Sequence, residues 1–238
     1  MHRVWSASRL LMSLIIGFLA LSALSPPEVL YSQEKPNVSF DWAFGALTGS
    51  GKDQKFVPIT KDTALRSGDQ LKLMVRPKSK CFVYVIYESP EGETSLEFPY
   101  EPGQFSTDYK IGKAYFVPAG DGWFKLDGDV GRETFYLLAS ADRLTDLEAL
   151  LERYGKVGAE GKRSVAEDVI TEIRNVRKRY MTFTTFAERP ISIGGNVRGV
   201  GSQEPGKRPN LSLIATEISA LNFYGRTYTI DHKSRGGK

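Results

Sequence analysis

The run Cys81–Tyr87 is the strongest hydrophobic pattern in the chain, with apolar and aromatic residues at every position. Such a run is typical of a strand buried on both faces. Before it, Leu71–Val75 alternates between apolar and polar residues, as a half-buried strand does. After it, Ser89–Gly92 contains the Pro and Gly of a chain reversal, and Thr94–Phe98 follows. The pattern therefore predicts a three-strand meander on which the rest of the chain packs.

Other segments also have the alternation or the apolar density of strands. They are residues 38–44, Lys113–Val117, Trp123–Leu126, Glu133–Ala139, Thr182–Phe186, Ile191–Ile193, Leu211–Ala215 and Phe223–Ile230. Two glycine-containing stretches separate some of them. Residues 45–51 are predicted to be a flexible break after the first strand, and residues 198–210 a long mobile loop.

Two helices are predicted between the last two groups of strands. Thr145–Glu148 has the spacing of a capping box, and Gly155 supplies a stop signal. Ser164–Glu167 is a second capping box, followed by an apolar stripe at helical spacing that reaches Tyr180. The basic residues near its end interact favourably with the helix dipole, so they need no anionic partner.

These elements predict a mainly β fold. We expect an antiparallel β-sandwich-like domain with two α-helices inserted before the C-terminal strands. The predicted organisation is a signal peptide at 1–32, a sandwich-like domain at 33–151 that ends in its first helix, and a segment at 152–238. That last segment is expected to pack on the same domain.

The N-terminus has the pattern of a secretory signal. Arg3 and Arg9 precede the apolar run Leu10–Leu24, which is shorter than the roughly 20 residues of a membrane span. Cleavage is expected after Ser22 or Ser32. We therefore expect export to the periplasm or the medium, with no membrane span after the signal is removed.

Composition narrows the function further. The net charge is +4, and the basic residues are interleaved with acidic ones, which argues against a nucleic-acid partner. The chain is long enough to bury a core without metals or disulfides. Cys81 is the only cysteine, so no internal disulfide forms, and its place in an apolar strand favours a core residue over a reactive thiol.

Several short motifs follow one another in a characteristic order and spacing. They are Leu65–Asp69, Tyr84–Tyr87, Leu96–Pro99, Val117–Pro118, Phe124–Leu126 and Gly131–Ser140. Through them, residues 56–151 resemble a bacterial family, domain of unknown function 4384. The resemblance implies an extracytoplasmic β-sandwich module of a kind often attached to kinase, peptidase or other signalling partners. That family has no established catalytic residues, so the resemblance assigns none here.

The motifs that carry chemistry are weak. After removal of the signal peptide, His232 is the one remaining histidine, and it lies near a C-terminal tail that we expect to be frayed after it. This argues against His-based triads and His-rich metal sites. Asp127 and Asp129 are a fragment of a calcium loop, but a hairpin turn is the better interpretation. Residues 46–53 lack the first Gly and the Ser/Thr of a P-loop. We therefore expect no cofactor and no metal, while hydrolysis by paired carboxylates stays open.

Aromatic residues near the loop after Pro99 are the best candidates for a binding site. They are Tyr100, Phe105, Tyr109, Tyr115 and Trp123. Flat rings of this kind line grooves for glycans or extended peptides. The alternative is that they cover the rim of a core formed by Phe98, Phe116 and Phe124.

The function predicted from the sequence is an exported, non-catalytic binding or interaction module of the bacterial cell envelope, with an envelope protein or a glycan as partner. The alternative is a carboxylate-dependent hydrolase or a glycan-binding protein that uses the aromatic loop. A small-ligand sensor is a third hypothesis.

Overall fold

The computed structural model describes residues 35–181, 186–191 and 209–236, without the side chains of Lys52 and Met181. The predicted signal segment and most of the predicted loop at 198–210 lie outside these residues. So do most of the strands predicted at 182–186 and 191–193.

Strands dominate the described residues, which confirms the prediction of a mainly β fold. The strands are β1 (Val38–Thr48), β2 (Lys55–Pro58), β3 (Thr63–Arg66), β4 (Gln70–Pro77), β5 (Phe82–Glu88), β6 (Thr94–Phe98), β7 (Tyr115–Val117), β8 (Phe124–Lys125), β9 (Gly131–Ser140), β10 (Phe186–Pro190), β11 (Thr216–Ala220) and β12 (Phe223–Lys233). The α-helices are α1 (Gln104–Thr107), α2 (Thr145–Lys156) and α3 (Ala159–Met181), and 3-10 turns lie at Gly51–Asp53 and Leu211–Ile214.

The strands form two sheets. The first has the order β10-β11-β1-β4-β7, with β2 paired to β1 and β8 paired to β4. The second has the order β3-β12-β9-β5-β6. The β3–β12 pair is parallel, and the other pairs are antiparallel. Side chains from both sheets meet in one apolar cluster, so the fold is a β-sandwich.

The main core lies between the sheets. Phe44 of β1 and Leu73 of β4 face Val85 of β5 and Leu137 of β9, and all four are buried. The rings of Phe44 and Phe135 pack edge to face, with centroids 5.1 Å apart. Burying one such side chain stabilises the fold by about 1.5–3 kcal/mol. The inward-facing side chains of the two sheets therefore hold the sheets together.

The predicted three-strand meander is wrong in one strand. β5 and β6 form the expected hairpin, but β4 pairs with β1, β7 and β8 in the opposite sheet. Leu73 and Val85 face the same core from opposite sides, so a hydrophobic pattern alone does not distinguish the two arrangements. The chain crosses between the sheets after Pro77, where Lys78 and Ser79 donate backbone hydrogen bonds to Ser39.

The first strand is longer than the sequence indicates. β1 continues through Gly45 to Thr48, where a flexible break was predicted. A Cβ atom at Gly45 would lie 2.4 Å from the ring of Phe56. The glycine therefore lets an aromatic side chain cover the strand; it does not interrupt it.

Both long helices pack on the outer face of the second sheet, where Leu147 of α2 and Ile173 of α3 contact Tyr84 and Leu138. Neither predicted capping box forms. Leu144 is the N-cap of α2, and the carboxylate of Glu148 accepts a hydrogen bond from the Tyr84 hydroxyl instead of capping the helix. Helix α3 begins at Ala159, before the predicted cap at Ser164. None of the described helices is both long and apolar enough to cross a lipid bilayer.

Candidate functional site

A cavity of about 220 Å³ lies at the end of the sandwich where β4 and β9 begin and β5 ends. We call it the end pocket. Both sheets contribute to its walls. The lining residues are Leu71, Tyr87, Ser95, Glu97, Phe124, Lys125, Leu126, Asp127, Glu133 and Phe135. Five of these residues are apolar or aromatic and five are polar or charged, so the pocket combines apolar surface with several polar groups, as small-ligand sites do.

A β-bulge places Glu97 in this pocket. Phe98 pairs with Val85 and Leu96 pairs with Ile86, so Glu97 is an extra residue between them. In a regular strand, Leu96 and Phe98 would point to the same face of the sheet. Because of the bulge, Leu96 packs on the cluster beneath the helices, and Phe98 packs in the core between the sheets.

Glu97 is half-buried, and its carboxylate accepts a hydrogen bond of 2.5 Å from the Ser95 hydroxyl. Burial raises the pKa of Glu97, and the bond from Ser95 only partly offsets this. In the described part of the chain, Glu97 forms no ion pair. It is therefore a carboxylate on a pocket wall without a cationic partner.

A chain of buried hydrogen bonds supports the pocket from behind. The Ser67 hydroxyl lies 3.1 Å from Nε2 of His232, and Nδ1 of His232 lies 3.0 Å from a carboxylate oxygen of Glu133. The other oxygen of Glu133 accepts a hydrogen bond from the Tyr87 hydroxyl. Burial raises the pKa of Tyr87, and its bond to Glu133 raises it further. The chain of contacts links β12, β9 and β5, and Tyr87 and Glu133 line the pocket.

The sequence places His232 near a floppy end of the chain, but the structure buries its side chain within β12. Its side chain has 0% exposure, and β12 continues through it to Lys233. The alternation of β12 accounts for this, because Tyr228, Ile230 and His232 are buried on one face of the strand.

The contacts Ser67–His232–Glu133 follow the order of a Ser-His-acid triad, but the backbone amides beside Ser67 already donate hydrogen bonds within the fold. The amide of Ser67 donates to Lys233 O, and the amide of Gly68 donates to Leu126 O. An acyl-transfer site needs free donors of this kind to stabilise an oxyanion. The geometry therefore fits a structural link between strands better than a nucleophilic centre.

The turn Ser67-Gly68-Asp69 is hydrogen-bonded to Leu126, a residue that lines the pocket. Gly68 has φ +91°, a conformation that favours glycine. The buried carboxylate of Asp69 accepts hydrogen bonds from the amides of Arg66 and Gly49, at 3.0 and 3.1 Å. The carbonyl of Asp69 accepts from the amide of Leu126, a pocket residue.

Four of the five predicted aromatic site residues lie together around Phe98, in one packed group. Tyr109 and Tyr115 are stacked at 5.8 Å, and Phe105 meets Tyr109 edge to face at 4.9 Å. Tyr100 donates its hydroxyl hydrogen bond to the carbonyl of Phe116 and is 43% exposed. Tyr115 is buried. The rings mostly contact one another, and none of the four lines the end pocket.

Trp123 lies apart from this group. Its ring packs against Phe56 on the outer face of the first sheet, with centroids 6.3 Å apart. The next residue, Phe124, lines the end pocket. The aromatic pattern identified this segment, but the adjacent rings of Trp123 and Phe124 lie in different environments.

A second cavity, of about 270 Å³, lies beside β10 and β12. Its charged groups already compensate each other. Arg226 donates to Glu188 at 2.6 Å and to the carbonyl of Thr60 at 2.5 Å, and Tyr224 donates its hydroxyl hydrogen bond to Glu188. The end pocket, with Glu97 lacking a cation, is the better candidate for a ligand site.

The sequence model of one protein family, described as "Domain of unknown function (DUF4384)", matches residues 64–143. The chain contains a DUF4384 domain. This confirms the resemblance seen in the sequence motifs. Comparisons with curated proteins and with solved structures give no match.

All ten residues that line the end pocket belong to the DUF4384 domain, as does Ser67. Helices α2 and α3 and strand β12, with His232, lie C-terminal to the matched residues. The pocket is thus a feature of the DUF4384 domain, and the C-terminal strand completes the hydrogen-bonded chain behind it.

Proposed function

We propose that this protein is an exported, non-catalytic binding module of the bacterial cell envelope, and that its ligand occupies the end pocket. The observation that carries the proposal is a cavity of about 220 Å³ whose partly apolar wall holds Glu97, a carboxylate that forms no ion pair among the described residues. A cavity with a few convergent polar groups and a carboxylate of perturbed pKa is the usual mark of a binding site.

The hydrogen bonding favours binding over catalysis. Both oxygens of Glu133 are engaged, one by Tyr87 and one by His232, so this carboxylate is not free to act as a general base. The amides of Ser67 and Gly68 are bonded within the backbone. Carboxylate-dependent hydrolysis would therefore have to rely on Glu97 together with the exposed Asp127.

The proposed location comes from the sequence. Arg3, Arg9 and the apolar run Leu10–Leu24 form a secretory pattern. In the envelope, suitable ligands are a side chain of a partner protein or a component of a glycan.

The test compares two neighbouring aromatic residues. Envelope extract is passed over the immobilised full-length secreted chain, and retained components are quantified by mass spectrometry. We expect Phe124→Ala to reduce retention at least about tenfold, because burying one aromatic ring contributes about 1.5–3 kcal/mol. Trp123→Ala, the matched control, removes a ring that does not line the pocket and is expected to retain the same components as the wild type.

Two outcomes would contradict the proposal. Equal retention by the wild type and Phe124→Ala would remove the end pocket as the binding site. Loss of retention in Trp123→Ala alone would move the site to the outer face of the first sheet. Thermal unfolding of both variants controls for loss of folded protein.

A further inference from the structure

We infer that the end pocket takes a ligand with a protonated amine on a small apolar body, and that Glu97 is its counter-ion. The inference rests on the proposed function in one respect, namely that the end pocket is a ligand site. It adds the chemical class of the ligand.

Three carboxylates and the exposed Lys125 line the pocket, and among the described residues Lys125 forms no ion pair with Glu97. The three carboxylates differ in how far they are already bonded. Glu133 lies on the wall, but its two oxygens are bonded to Tyr87 and His232. Asp127 is exposed, and its carboxylate accepts a hydrogen bond from the amide of Asp129. Glu97 has one described partner, the neutral hydroxyl of Ser95. Glu97 is therefore the half-buried charge whose compensation is incomplete.

A cation would compensate it. A carboxylate removed from water is costly unless it is paired and hydrogen-bonded. The raised pKa of Glu97 reflects this cost. An ammonium group beside Glu97 would form a charge-assisted hydrogen bond, which is about twice as strong as a neutral one.

The apolar residues of the lining fit the apolar body of such a ligand. Leu71, Phe124 and Phe135 supply aliphatic and aromatic surface to the same cavity. A volume of about 220 Å³ accommodates one ring or one alkyl chain. A lysine side chain of a partner protein and a free aromatic or aliphatic amine share this chemistry.

The experiment measures binding to the full-length secreted chain by calorimetry with three probes. Benzylamine and benzyl alcohol have the same ring and differ in charge, and Nα-acetyl-lysine methylamide presents a lysine side chain as in a protein. We expect the wild type to bind benzylamine at least about tenfold more tightly than benzyl alcohol. The lysine derivative distinguishes a protein side chain from a free amine as the source.

The variants locate the effect. Glu97→Gln keeps the shape and the hydrogen bond from Ser95 but removes the charge, so it is expected to bind both benzyl probes equally. Glu93→Gln changes an exposed carboxylate on the turn before β6 and is expected to keep the wild-type preference. Thermal unfolding confirms that Glu97→Gln is folded.

Three results would overturn the inference: equal affinity of the wild type for both benzyl probes, a preference for benzylamine that survives Glu97→Gln, or no binding of either amine. The inference can fail while the proposed function stands. Equal binding of both benzyl probes that is lost in Phe124→Ala would leave the pocket as a ligand site while excluding the amine.

Discussion

Replacement of His232 by leucine is expected to lower the free energy of unfolding by about 3 kcal/mol, the upper end of the usual cost of leaving a buried polar group without its hydrogen-bond partner. Glu133 is 4% exposed, and His232→Leu would leave one of its oxygens without a partner. The Ser67 hydroxyl would lose its contact with the imidazole as well. Denaturant unfolding at neutral pH measures the change.

A neighbouring residue supplies the control for this prediction. Asp231→Asn alters a side chain that is 64% exposed and pairs only with Lys233 among the described residues. It is expected to change the free energy of unfolding by less than about 1 kcal/mol. The double variant His232→Leu/Glu133→Leu removes both polar partners and should recover part of the loss. A loss below about 1 kcal/mol in His232→Leu would mean that this chain of hydrogen bonds does not stabilise the fold.

Replacement of Lys72 by methionine is expected to have the second large effect, a loss of about 3 kcal/mol. Lys72 is only 5% exposed. Its ammonium group donates to the carbonyls of Pro118, Gly120 and Gly122, at 3.3, 2.7 and 2.5 Å. It also lies 5.7 Å from the centre of the Phe116 ring. Methionine keeps an unbranched side chain but leaves these buried contacts to the carbonyls unmade.

The loop held by Lys72 leads directly into β8, which carries Phe124 of the end pocket. Lys72→Met should therefore weaken ligand retention as well as stability. Lys80→Met removes an exposed lysine and is expected to leave both unchanged. Denaturant unfolding and the retention assay on the same samples measure the two effects. Unchanged unfolding in Lys72→Met would contradict the interpretation of this ammonium as a structural anchor.

The sequence predicted the strands better than their partners. β5, β9 and β12 were recognisable because their apolar residues are dense or alternate. The partner of β4 was not, because the inner faces of the two sheets supply one core and are equally apolar. Helices and a further apolar cluster also cover the outer faces. The polar positions that would distinguish the faces are therefore scarce.

The candidate site was less predictable than the fold. The side of the sheet on which Glu97 lies depends on the bulge between Val85 and Ile86, and the amino-acid pattern alone carries no clear mark of it. The burial of His232 did have a signal, since it continues the alternation of Tyr228 and Ile230. The closeness of His232 to the expected frayed end was given more weight than that signal.

Whether the ligand occupies the end pocket is tested most directly by mapping the residues that it contacts. Amide resonances of the ¹⁵N-labelled chain are recorded before and after addition of the envelope fraction that the wild type retains. The end-pocket account predicts that the largest shifts fall in β6, β8 and the first residues of β9. Shifts confined to the aromatic group around Phe98, or to β10 and its neighbours, with none at Ser95, Glu97 or Leu126, would contradict it.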